Sequence, residues 1–195
     1  MSAGLVLRLV FWIWFGAAVA AGHFELLKRV PPFGIPAIVV GLAAILLFAY
    51  FRLRPVRAWV DSLDLRTLVL LHAIRFIGIY FLILYQQGIL PRAFAIPAGM
   101  GDIIVASMAL PVALAPLDLR SRERAIRIWN VVGFVDIIMV IVSATRINLT
   151  APLELRAFTQ LPLSLLPTFV VPLIIASHIV IFVRTARRAE RAPQN

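Results

Sequence analysis

Residues Thr67–Gln87 read TLVLLHAIRFIGIYFLILYQQ, a nearly unbroken apolar run that carries His72 and Arg75 in its interior. About 20 such residues cross the hydrocarbon core of a bilayer, which is roughly 30 Å thick. An arginine at the centre of a membrane helix costs about 2.5–3.5 kcal/mol on insertion scales. The polar stripe must therefore turn away from lipid and meet groups elsewhere in the chain. At helical spacing, His72, Arg75, Ile79 and Gln86 fall on one face.

Five further runs of the same kind flank it, at about 5–22, 33–52, 93–113, 126–144 and 161–183. The 195 residues are 62% hydrophobic and 14% charged, with a mean hydropathy of +0.98. Soluble domains lie nearer 45–50% apolar and about 25% charged. The expectation is an all-α polytopic membrane protein, a bundle of six transmembrane helices forming one domain over residues 1–195.

The net charge of +10 does not point to nucleic acid. Nearly all the basic residues sit at the ends of apolar runs, and neither a soluble basic domain nor aromatics interleaved with arginine remain to build a binding face. The absence of cysteine excludes disulfides, thiolate metal sites, thiol catalysis and covalent c-type haem. Arginine outnumbers lysine, with Lys28 alone against it, which reads as a GC-rich bacterial genome.

Ala18-Val19-Ala20 resembles a signal-peptidase site, but the first run is long and aromatic for a signal peptide and reads better as a retained helix. The second run has no charge inside it and reads as a packing or lipid-facing helix. Asp61, Ser62 or Asp64 can cap the third. The fourth carries Pro97 and two glycines just before Asp102, and Ala98, Asp102, Ala106 and Ala109 make a compact face that admits a neighbouring backbone. The fifth holds Asn130, Gly133 and Asp136 in one arc. The sixth contains Pro162, Pro167 and Pro172, whose freed carbonyls need partners such as Thr168. Arg146–Gln160 reads as the longest outward loop, with a formal glycosylation sequon at Asn148, and Arg184–Arg191 as a frayed basic tail.

With the N-terminus inside, thirteen basic residues face inward, at Arg8, in the Arg52–Arg66 and Arg120–Arg127 loops and in the Arg184–Arg191 tail. Five face outward: Lys28, Arg29, Arg92, Arg146 and Arg156. The positive-inside rule then places both termini in the cytoplasm of a multi-pass protein of the inner (plasma) membrane.

Orientation turns residue number into depth at about 1.5 Å per residue. Arg75, Asp102 and Asp136 all reach about 12–13 Å, the middle of the membrane, whereas His72 and His178 share a level about 8 Å from the cytoplasmic end, near Asn130. One Arg and two Asp carry net −1 when ionised, and in hydrocarbon that excess calls for a bound proton or cation.

Three functions fit this pattern. The leading one is a small proton-linked transporter or permease-like protein for an unidentified solute, with Asp102 and Asp136 titrating or binding a cation. Arg75 is then the counter-ion, and His72, His178 and Asn130 form a cytoplasmic relay or gate. The second is a redox subunit holding b-type haem between His72 and His178. The third is a scaffold or assembly subunit in which the buried charges only fix helix pairing. No nucleophile motif, phosphate loop or closed metal-ligand set points to an enzyme, no cofactor is expected on the leading reading, and oligomeric state is left open.

Overall fold

The computed structural model describes residues 3–191. Six of its helices are long and apolar enough to cross a membrane, as expected. In chain order the helices are α1 (Ala3–His23), α2 (Gly34–Arg52), α3 (Arg54–Ser62), α4 (Leu65–Leu71), α5 (Ile77–Gln86), α6 (Arg92–Leu114), α7 (Leu119–Thr150) and α8 (Val171–Arg191). Helix α6 lies at the centre, packed against α4, α5 and α7, while α8 packs against α2 and α7. Helix α1 is peripheral: Phe11, Trp14 and Phe15 pack their rings around Phe169, with little else of the helix buried.

The third span is one rod made of three pieces. Asp64 caps α4 by accepting the Arg66 N–H at 2.9 Å, and a 3-10 segment, His72–Phe76, joins α4 to α5. A 3-10 turn has three residues, so side chains at i and i+3 eclipse. His72 and Arg75 are therefore both directed into the bundle. The same geometry corrects the helical-wheel expectation beyond Arg75. Each 3-10 residue turns about 20° further than an α-helical one, so five of them advance the following helix by about 100°. Gly78, Phe81 and Leu84 become the buried face, and Ile79 and Gln86 are exposed rather than continuing the polar stripe.

Two other boundaries differ from the sequence reading. Helix α7 continues to Thr150, and its 32 residues give about 48 Å of helix, longer than the hydrocarbon layer, so the loop expected at Arg146–Gln160 is helix and then a 3-10 stretch, Pro152–Thr159. The Asn148 side chain points inward and donates to the Pro32 carbonyl, which leaves no acceptor nitrogen for a glycan. The sixth span begins its regular turn at Leu166 rather than Leu161, opening with a wide π-type turn, Leu166–Val170. Pro172 cannot bond the Thr168 carbonyl, which instead accepts the Trp14 indole N–H at 3.0 Å; Thr168 in turn donates to Ser164 O at 2.7 Å. The freed carbonyl thereby ties α1 to the wide turn that opens the sixth span.

The basic C-terminal segment is not frayed at Arg184, which is 8% exposed. Its guanidinium donates to the carbonyls of Val60, Asp61 and Leu63 at 3.3, 3.2 and 2.7 Å, closing the C-terminus of the short amphipathic helix α3. Arg184→Ala should cost about 1–3 kcal/mol in thermal unfolding, the range for charge-assisted bonds left unmade, and should speed tryptic cleavage at Arg57 and Arg66. Arg184→Lys should rescue poorly, because an ammonium does not reproduce the guanidinium fork. Arg188 and Arg127 pair with Glu123 at 3.3 and 3.9 Å, so the start of α7 joins the same arginine-rich end. There Asp118 caps α7, and hydrogen bonds from Ser121 hold its carboxyl below the usual carboxylate range.

Candidate functional site

The Arg75 guanidinium sits at the junction of the third, fourth and fifth spans. Its Nε donates to Asp102 Oδ1 of α6 at 2.6 Å, one terminal nitrogen to the Gly133 carbonyl of α7 at 3.1 Å, and the other to Asp136 Oδ2 of α7. The three residues expected at one depth are therefore in direct contact. Enclosure is uneven: the side chains of Arg75, Asp102 and Asp136 are 1%, 7% and 21% exposed.

Small residues create this junction. Gly78 of α5 and Gly99 of α6 meet backbone to backbone, and a Cβ on Gly99 would stand 2.9 Å from Gly78 O. Gly101 leaves room for the Asp136 carboxylate, which a Cβ there would strike. The compact face at Ala98, Asp102, Ala106 and Ala109 is buried, as its spacing predicts. Pro97 is the sixth residue of α6, past the first turn, so it removes the helical bond to the Ala93 carbonyl four residues before it.

The second layer lies toward the arginine-rich end. His72 and His178 are in ring contact, with centres 4.3 Å apart and planes tilted by 54°, and Trp129 meets His72 edge-on at 4.9 Å. Asn130 Nδ2 donates to the His178 carbonyl at 3.1 Å, which presents Oδ1 to His178 Nδ1 at 2.8 Å. Ser177 Oγ donates to the Ile174 carbonyl at 2.8 Å and so accepts from His72 Nε2 at 2.9 Å. In the neutral form these bonds place the protons on His178 Nδ1 and His72 Nε2. The remaining nitrogens, His72 Nδ1 and His178 Nε2, are buried without a hydrogen-bond partner among the described residues. Gly133 links the layers: its carbonyl takes Arg75, and a Cβ there would lie 2.8 Å from the His178 ring.

This packing bears on the haem alternative. An axial imidazole nitrogen sits about 2 Å from its metal, and two ligands on opposite faces of a porphyrin are separated by the whole macrocycle. Rings in mutual contact leave no such slot. Among the described residues no three His, Asp or Glu side chains are grouped to hold a metal ion.

Sequence reasoning had placed His72, Arg75, Asp102, Asn130, Asp136 and His178, and the bundle brings all six into these two adjoining layers. It missed Ser177, whose only signal was adjacency to His178, and Trp129, whose indole N–H donates to Val105 O at 3.0 Å while its ring walls the histidines. The roles of Gly78 and Gly101 depend on which helices meet, which no single segment reveals.

Openings lie at both ends of the double layer. A cavity of about 100 Å³ runs from Asn148 and Thr145 inward to Arg75 and Asp102, walled by apolar side chains including Phe81, Phe94 and Phe158. At the arginine-rich end a polar cleft of about 400 Å³ is lined by Asp61, Asp64, Arg66, Arg122, Glu123, Arg184 and Arg188. Between the two, Val69, His72, Trp129, Asn130, His178 and Ile181 are closely packed and buried.

No curated protein and no solved structure matches the chain. A family model described as a domain of unknown function (DUF8737) matches residues 32–186, which include every residue of the double layer and the whole lining of the apolar cavity. On that match the chain belongs to the DUF8737 family.

Proposed function

We propose that this protein is a small proton-linked transporter in the inner membrane of a bacterium, with both termini cytoplasmic. The observation that carries the reading is the Arg75–Asp102–Asp136 contact at the blind end of a cavity. One guanidinium against two carboxylates leaves net −1 in a place where lipid surrounds the bundle, and a proton or solute cation completes the balance. Asp102 and Asp136 are the exchanging groups. Arg75 is their counter-ion, and it also ties the three helices that must move if access alternates.

The excess of arginine at the end holding α3 and the tail makes that end cytoplasmic, so the apolar cavity is the outward vestibule and the polar cleft the inward one. The packed layer of His72, His178, Asn130 and Trp129 between them is the gate. Its unpartnered imidazole nitrogens are acceptors for a proton arriving from the aspartates, and at Gly133 no side chain stands between the two layers. Imidazole rings in direct contact favour this role over haem ligation.

In proteoliposomes with an imposed pH gradient, screened against small charged and neutral solutes, the wild type should drive accumulation of at least one solute with coupled proton movement. Asp102→Asn and Asp136→Asn should reconstitute equally well and lower that accumulation by about tenfold or more, the loss expected when an essential intramembrane carboxylate is removed. Full accumulation by well-folded neutralised variants would leave Arg75 and the two acids as a structural ion pair, the scaffold reading. The orientation has its own test: reporter fusions at the C-terminus should be active in the cytoplasm and silent outside it.

A further inference from the structure

We propose that the cavity beside Asp102 is a binding site for a small primary alkylammonium, a cation with a short apolar tail. The inference rests on the transporter reading for its purpose, not for its chemistry. Asp102 borders the cavity, its side chain is 7% exposed, and Arg75 engages only Oδ1, so Oδ2 has no hydrogen-bond partner among the described residues. Arg75 also borders the cavity, but each of its three nitrogens already has a partner, in Asp102, Gly133 or Asp136. A carboxylate ligand would raise the local charge from −1 to −2, whereas an ammonium brings it to zero. The same N–H donors satisfy the free oxygen.

The rest of the cavity selects the tail. Its walls are almost wholly hydrocarbon, and Phe81, Phe94 and Phe158 form a cluster with ring centres 5.2–5.9 Å apart. Aromatic faces add attraction for a desolvated cation. A volume of about 100 Å³ is smaller than the roughly 150 Å³ engineered cavity that takes up benzene, so it encloses the ammonium and about two or three carbons, and the rest of a short tail extends along the open side of the cavity toward Thr145 and Asn148.

The test uses the full-length protein in nanodiscs, with empty nanodiscs subtracted, titrated calorimetrically at pH 7 with pentylamine, pentanol and pentanoate. Pentylamine should bind at least about tenfold tighter than pentanol, a difference of about 1.4 kcal/mol, and pentanoate should not bind. Asp102→Asn should reduce the amine to the level of the alcohol, and Val140→Phe, which fills the cavity without touching the charges, should abolish binding of both. Equal affinity for amine and alcohol, preference for pentanoate, or no binding to a folded wild type would each overturn the proposal. Because the measurement involves no gradient, these outcomes leave transport of another solute standing. Selective amine binding in a protein that moves no solute would keep the site and remove the transporter.

Discussion

Arg75→Leu should cost about 3–5 kcal/mol of stability, the range for breaking a buried ion pair by removing one partner. The loss comes less from the missing attraction than from two carboxylates left facing each other in a bundle where the Arg75 side chain was 1% exposed. Neutralising all three, with Arg75→Leu, Asp102→Asn and Asp136→Asn together, should recover most of that loss. Buried ionic groups replaced as a set are often neutral or stabilising, because their desolvation cost disappears with them. Unfolding of the purified variants in mixed detergent, read by tryptophan fluorescence, measures both effects. A triple variant as unstable as Arg75→Leu would mean that the guanidinium acts by packing alone. A stable triple variant without transport would show charges retained for function at the expense of stability.

Gly78→Val is expected to have the second largest effect. A Cβ at Gly78 meets the Gly99 carbonyl of the neighbouring helix and stands 2.9 Å from Asp102 Cβ. A backbone oxygen cannot swing aside, so α5 and α6 must separate. Overpacking of this kind costs about 1–3 kcal/mol, and the upper end applies when backbone is the obstacle. Gly101→Ala makes a useful contrast. Its added methyl meets the Asp136 carboxylate, the end of a side chain that can rotate away. That variant should fold nearly as well as the wild type while losing the Arg75–Asp136 contact, and should therefore lose activity without losing stability. Comparable unfolding of the two glycine variants would contradict the placement of α6 between α5 and α7.

The number of membrane-length helices and the level of each charged residue along its helix were legible because both follow from local quantities: run length, rise per residue and the cost of charge in lipid. Arg75, Asp102 and Asp136 meet because each is the one acid or base near the middle of its span, and a bundle of six helices offers few ways to keep three such groups from lipid. The errors lie where a local rule assumed uniform geometry. Ile79 and Gln86 were assigned to the polar stripe by an α-helical wheel that a 3-10 segment re-phases. Asn148 looked like an exposed sequon because the end of α7 was not marked by any glycine or proline before Pro152. Arg184 looked like one more tail cation because its partners are backbone carbonyls of α3, which carry no sequence signal. Ser177 and Gly101 were invisible for a similar reason: their significance is set by the residue opposite, and helix order is a tertiary fact.

The most direct measurement is the nitrogen-to-carbon distance between the Arg75 guanidinium and the two aspartate carboxyls, by dipolar recoupling solid-state NMR. The protein would be reconstituted in lipid with labelled arginine nitrogens and aspartate carboxyl carbons. The background from Arg184 and Arg187 near Asp61 is removed by subtracting an Arg75→Lys sample. The expected difference signal shows Arg75 within about 4 Å of both Asp102 and Asp136. No difference between the two samples, with the Arg75 nitrogens instead close to lipid phosphate, would contradict the buried centre on which the proposed function stands.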